Sequence, residues 1–387
     1  MSRAIRALGL AILLVGVSCG TSTLTAATPS PSPSPAASPT PAASPTPAPV
    51  HDYGTPPAGI DLLYFQVPGS PTWLIGYDWS GTPRATVHLK ELDGHVDEIG
   101  SGIIVAPNGS GFLGSPYTFD RLGQMVYQGP PPDKGNLNST WSEDGQLLCG
   151  VEEANSAIDS NGAGTSDYYL VRRTATGPST RVARFLHLDF VPGDMGFSPY
   201  ACSRGLNRAL VVKTVCCGIQ GALVLRMSDG ALLGTWNRDA GSPVFSPDGQ
   251  EVADPTWTPD GKTVSTEVRL ILGGTVMARY GAGIDFRAFS ANNRYAVVTV
   301  AGRTQVIEVS TRRVVWRDDQ VRPLSRVWAR PASNDLALAF TAPPAQVPCP
   351  NSSSSLCTNP IDEVVIVHAD GTSIGLGSDL LMPGTWG

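Results

Sequence analysis

A short turn recurs along this chain at long, regular intervals, and few folds accommodate it. Phe245-Ser246-Pro247-Asp248-Gly249, Trp257-Thr258-Pro259-Asp260-Gly261 and Trp141-Ser142-Glu143-Asp144-Gly145 each set an aromatic residue and a hydroxyl before two Pro- or Asp-rich positions, then Gly and an apolar run. Looser copies begin at Phe197, Phe289 and Trp328, and Val105-Ala106-Pro107-Asn108-Gly109 keeps the turn without the aromatic. Pro presets φ, Asp caps the reversal and Gly accepts a positive φ, so each copy is a tight reversal between antiparallel strands. The preceding aromatic then packs against the neighbouring sheet. Between the turns, alternating segments such as Tyr295–Val300, Gln305–Val309 and Glu363–His368 are bounded by Gly, Asn, Asp or Pro. No apolar stripe of helical period is sustained for three turns after residue 57, and 42 Gly with 34 Pro in 387 residues argue against a helical bundle. The body is expected to be all-β.

With Trp141, Phe197, Phe245, Phe289 and Trp328 as anchors, the mean interval is about 47 residues, the period of a propeller blade. These residues resemble the WD40-like repeat of the TolB propeller family, and the resemblance covers about residues 57–387. It implies that each anchor ends the innermost strand of a four-stranded blade and that an outer hairpin follows. Ala222–Trp236, Val306–Trp316 and Val364–Gly375 fit such hairpins, and Trp257, too close to Phe245 to start a blade, is assigned to an additional hairpin within the same blade. The length of the body then predicts a seven-bladed β-propeller, with six or eight blades as alternatives. Asp61–Val67, Trp73–Trp79 and Ala85–Leu89 are strand-like but follow no anchor, while Leu380–Trp386 is a strand ending in an aromatic. Joined, they make one blade shared by both ends, which would close the ring and remove exposed sheet edges. TolB carries a further N-terminal α/β domain, and nothing here matches it.

The first 18 residues read as a signal peptide. Arg3 and Arg6 precede an uncharged apolar run from Ala7 to Val17, long enough for an export core and too short to span a bilayer. Val15-Gly16-Val17-Ser18-Cys19 resembles a bacterial lipoprotein cleavage box, with Cys19 as the lipid-modified N-terminus; Gly16 departs from that pattern and leaves cleavage after Ala27 as the alternative. Residues 19–56 form a Pro/Ser/Thr/Ala-rich linker whose stretch Thr28–Val50 carries no charged residue, so it has nothing to bury and is expected to be a disordered, extended tether. The expected location is the outer side of the cytoplasmic membrane, or the medium if cleavage occurs after Ala27.

Six further cysteines in an exported chain imply disulfides. Cys349 and Cys357 flank a polar loop and are expected to be paired. Cys216 and Cys217 are adjacent and face opposite ways on a strand, so each is expected to pair elsewhere, with Cys149 or Cys202. The cysteines lack the spacing of a metal site, and no cofactor is expected.

A search for catalytic motifs returns weak signals. Gly371-Thr372-Ser373-Ile374-Gly375 matches a nucleophile elbow, but a hairpin replaces the helix such an elbow needs. Gly109-Ser110-Gly111-Phe112-Leu113-Gly114 matches a phosphate loop with no helix to follow, and Glu152-Glu153 are adjacent strand positions that point apart. His95, within Asp93-Gly94-His95-Val96-Asp97-Glu98, reads as part of a hairpin tip. Propellers bind ligands at the channel mouth, and the resemblance points to polar residues just before the anchors: Asp194, Asp285, Arg287 and Arg326. Lys+Arg 27 against Asp+Glu 33, with no basic run, argues against a nucleic-acid partner, and none is expected. The sequence is therefore read as a monomeric envelope lipoprotein whose propeller is a non-catalytic platform for protein, peptide or cell-wall glycan. The alternative is a propeller hydrolase or lyase with channel-mouth carboxylates.

Overall fold

The computed structural model describes residues 49–67, 70–94, 103–114, 117–129, 138–158, 164–189, 195–215, 218–258, 260, 262–331, 333–341 and 361–377. The chain divides into two units, residues 1–46 and 47–387. Residues 1–18, read above as an export signal, most of residues 19–56, His95, Asp194, Cys216, Cys217, Cys349 and Cys357, expected above to pair, and Leu380–Trp386 lie outside the described residues.

Seven antiparallel sheets follow one another along the chain, six of four strands and the first of three among the described residues. They are the blades of a seven-bladed β-propeller, spanning 63–88, 104–128, 138–188, 195–241, 244–280, 284–317 and 324–375, here numbered 1 to 7. Within each blade the strands are paired in chain order. The repeated hairpins are where the sequence places them. Leu232–Gly241 closes the outer hairpin of blade 4, Val314–Arg317 that of blade 6 and Ser373–Gly375 that of blade 7. Trp257 differs from the expectation: blade 5 has four strands like its neighbours, so the turn after Glu251–Trp257 is not an additional hairpin but the ordinary link from its second strand to its third, Thr263–Leu270.

Ring closure is visible in how the second strands divide their side chains. In blade 7, Leu336, Leu338 and Phe340 enter the core shared with blade 6, while Ala337 and Ala339 enter a core shared with blade 1. A strand buried on both faces reads as a near-continuous apolar run, and this one, Leu336–Thr341, is buried throughout with Thr341 its one polar residue. Leu63–Val67 of blade 1 behaves alike: Leu62 and Tyr64 enter the core with blade 2, and Leu63 and Phe65 the core with blade 7. The described strands of blade 1 therefore occupy the second, third and fourth places of a blade. An open array of seven sheets has six junctions, whereas among the described residues seven hydrophobic cores join these blades, the seventh between blades 7 and 1.

The anchor turns owe their shape to the residues that mark them. Ser142 Oγ accepts from Leu147 N at 3.0 Å and donates to Asp144 Oδ1 at 2.6 Å, and that carboxylate also accepts from Gln146 N at 3.0 Å. Ser246, Asp248, Gln250 and Glu251 repeat the arrangement. Gly145 and Gly249 hold φ of +64° and +67°. The turns also grip one another: Asn108 Nδ2 donates to Asp144 O at 2.6 Å, Ser203 Oγ to Glu143 Oε1 at 2.8 Å, and Asn293 Nδ2 to Asp248 Oδ2 at 3.0 Å. A Cβ on Gly145 would collide with the Asn108 amide, so this glycine serves both the φ and the junction.

One pairing differs from the expectation. Cys149, on the second strand of blade 3, is bonded to Cys202, on the first strand of blade 4, with Cα atoms 6.1 Å apart. Neither is therefore available to Cys216 or Cys217. Both are buried in the core between the two blades, with Met227 Sδ 3.2 Å from Cys149 Sγ. Separation in sequence concealed a pair that the ring makes adjacent.

Candidate functional site: the axial cavity

A cavity of about 1020 Å³ is bordered by residues from blades 2 to 7 and by Asp61, which leads into blade 1. In a closed ring, only the axis is reached from every side. The register that lines it is regular. Pro107, Glu143, Pro199, Pro247 and Ala291 each stand two positions after Val105, Trp141, Phe197, Phe245 and Phe289, while Arg287 and Arg326 stand two before Phe289 and Trp328.

The two arginines reach the cavity through irregularities in their strands. In Ile284–Phe289, register shifts between Phe286 and Ala288, so Arg287 is an extra residue. Phe286 and Phe289 thereby enter the same core although three apart, and Arg287 is left exposed toward the cavity. Register also shifts between Leu324 and Arg326 in Leu324–Ala329, making Ser325 the extra residue of blade 7. Arg287 Nε donates to Thr299 Oγ1 of its own blade at 3.3 Å. Arg326 is half-buried, and desolvation of its guanidinium lowers its pKa.

Of the four candidate ligand residues, the structure brings Arg287 and Arg326 to one cavity. Asp285 Oδ1 accepts from Thr263 Oγ1 of blade 5 at 2.7 Å, a link between blades. Asp194 lies outside the described residues. Sequence reasoning missed the carboxylates that border the cavity, Asp61, Glu143 and Asp144. The signal for Glu143 was present, since it is the turn residue two after an anchor.

These carboxylates are engaged by donors. Glu143 Oε1 accepts from Ser203 Oγ at 2.8 Å and Gly205 N at 3.1 Å, and its Oε2 accepts from Arg204 N at 3.0 Å. Burial pushes the Asp144 carboxyl up, but Ser142, Gln146 N and Arg204 outweigh it and hold the pKa below its ordinary value. Asp61 faces Arg330 at 3.8 Å.

The motif matches resolve as strands. Gly111–Gly114 and Ser373–Gly375 are both extended, with no helix opening at either. Glu152 is paired with Arg181, while Glu153 accepts from Ser166, so the two carboxylates serve different neighbours. Among the described residues no three His, Cys, Asp or Glu side chains converge as metal ligands.

One carboxyl beside the turns titrates near neutrality. Burial, then the Asp248 charge, raise the Glu251 pKa to about 7, with Asn293 opposing. A raised carboxyl contributes stability that is fully present below its unfolded pKa of about 4.3 and is lost as pH rises through 7. Glu251→Gln is therefore expected to stabilise the protein at pH 8 by about 1 kcal/mol, after allowance for solvent screening, and to change little at pH 4. Denaturant melts at the two pH values check this; an equal effect at both would refute the assignment.

No protein-family model matches the chain, and no curated protein matches it significantly in sequence. Solved structures similar to it include a eukaryotic initiation factor, 12% identical with a TM-score of 0.41, covering 84% of this chain and 98% of that one. A putative TolB from Agrobacterium tumefaciens is 16% identical with a TM-score of 0.38, covering 68% of this chain and 86% of that one. The C-terminal WD40 domain of Sif2 is 15% identical with a TM-score of 0.34, covering 60% of this chain and 57% of that one. The blade count and the closure rest on this chain's own sheets and cores.

Proposed function

We propose that this is an exported, lipid-anchored envelope protein whose propeller is a binding platform for protein, peptide or cell-wall glycan, engaged through the axial cavity with Arg287 and Arg326 as ligand contacts. The observation that carries the reading is that these two arginines, from neighbouring blades, border one cavity lined by residues of blades 2 to 7 and by Asp61. The buried Cys149–Cys202 bond supports export, since such bonds persist in oxidising compartments. A hydrolase or lyase working through paired channel-mouth carboxylates would need one held protonated as the acid beside another held ionised. Asp144 is held ionised and Glu143 is filled by three donors, which favours binding over that chemistry.

A photo-crosslinking residue at Ser325, exposed at the cavity, is expected to capture an envelope component that the same residue at Met277, on the outermost strand of blade 5, does not. Capture at Met277 alone would overturn the axial site. For the anchor, metabolic labelling with a fatty acid is expected to mark the wild type and not Cys19→Ala, which is released from membranes. Absence of label in both would instead mean a secreted protein, cut near Ala27.

A further inference from the structure

The junction between blades 5 and 6 sets two carboxyls against one amide. Glu251 opens the second strand of blade 5, where side chains alternate: Val252 enters the core with blade 4 and Ala253 the core with blade 6, which places Glu251 on the side of blade 6. There it is hydrogen-bonded to Asn293 of the blade 6 anchor turn, beside the Asp248 charge. The same amide serves Asp248, since Asn293 Nδ2 donates to its Oδ1 at 3.1 Å and its Oδ2 at 3.0 Å. Asp248 also accepts from Ser246 Oγ at 2.7 Å, Gln250 N at 3.0 Å and Gln250 Nε2 at 2.7 Å. Asn293 Oδ1, however, is buried and has no donor among the described residues. The cluster holds more acceptors than donors, and a buried acceptor left unpaired is costly. A proton on Glu251 would turn one acceptor into a donor.

The other charged and titratable groups at this junction leave the role to Glu251. Tyr280, on the outermost strand of blade 5, donates to Val309 O of blade 6 at 2.8 Å, and burial pushes its phenol up to about 12, so it stays neutral while a carboxyl titrates. Arg312, from the outer hairpin of blade 6, lies over the Tyr280 ring, 5.8 Å from its centroid. Arg294, next to Asn293, is paired with Glu308 at 3.0 Å. Among the described residues no cation pairs with Glu251 to hold it ionised, in keeping with its raised pKa. Both turns that meet here reach the axis, for Pro247 and Ala291 border the axial cavity. We propose that this junction is a proton-operated latch, closed at the cavity rim while Glu251 carries its proton and loosened when Glu251 ionises. Once ionised, Glu251 stands beside the Asp248 charge and offers Asn293 Oδ1 no donor, and parting the two turns relieves the repulsion by letting water in.

The test uses the full-length protein and does not depend on what the cavity binds. NMR follows the Glu251 carboxyl carbon and the Asn293 side-chain amide through a pH titration, and both are expected to move together near neutrality. Relaxation dispersion of the backbone amides in residues 246–251 and 290–294 reads the population of the loosened junction, which global unfolding is too rare to supply. With a Glu251 pKa of about 7 in the closed junction and an ordinary one in the open, that population is expected to rise about tenfold between about pH 6 and about pH 8. Glu251→Gln, whose amide is a permanent donor, is expected to hold it at the wild-type pH 6 level at both values. The wild-type titration reads without any variant, so the test survives one that folds poorly. A Glu251 carbon that titrates only in the ordinary carboxylate range would overturn the latch. So would the absence of exchange in these turns at pH 8, or a rise with pH that persists in Glu251→Gln.

Discussion

Loss of the Cys149–Cys202 bond is expected to lower the stability of the propeller by about 4 kcal/mol. The bond closes a segment with a sequence separation of 53 residues, and in the chain-entropy model a loop of that length restricts the unfolded state by about that amount. Domains of ordinary stability have only about 5 to 15 kcal/mol in total, so the loss is a large share. Because both sulfurs sit in the core between blades 3 and 4 beside Met227, the double variant Cys149→Ala, Cys202→Ala also leaves unfilled volume there. Urea melts of the wild type with and without reductant, and of the double variant, measure the two contributions separately. A loss below about 1 kcal/mol on reduction would show that the bond does not restrain the unfolded chain as argued.

Trp328→Ala is expected to cost about 3 to 5 kcal/mol and to loosen the ring at one junction before the others. Trp328 is 2% exposed and lies in the core that joins blade 7 to blade 1, edge-on to Phe65 with ring centroids 5.8 Å apart. That junction joins the ends of the repeat, so its failure opens a ring into an array whose sheet edges are bare. Hydrogen exchange should show early loss of protection in residues 63–67 and 336–341, ahead of blades 4 and 5. A cost within about 0.5 kcal/mol of wild type, or uniform loss of protection, would show that the junction does not hold the ring. If Leu380–Trp386, outside the described residues, is the innermost strand of blade 1 as the sequence suggests, removing residues 379–387 should be at least as damaging.

The anchors were legible because their chemistry is local. Ser142 and Asp144 build their turn with atoms no more than five residues away, so the motif reports the same reversal wherever it occurs. Alternation likewise reported strands such as Tyr295–Val300 before any neighbour was known. Arg287 and Arg326 could be named from their distance to the anchors, but that both border one cavity was not legible, since it goes with register shifts in their strands. Asp285 shows the limit. An unbroken strand would turn Asp285 and Arg287 to the same side, but the extra residue at 287 breaks the alternation, and Asp285 meets Thr263 of the preceding blade.

The sequence by itself determined the all-β class, the blade period, the turn chemistry and the positions of the outer hairpins, because each depends on residues close along the chain. Only the tertiary structure decided that Cys149 pairs with Cys202, that Glu143 and Asp144 border the axis with their charges engaged, and that bulges deliver two arginines to one cavity. These facts depend on which blade stands beside which, and in a ring such neighbours lie tens of residues apart or, for blades 1 and 7, near opposite ends of the chain. Local propensity carries no information about such contacts; packing between the blades does.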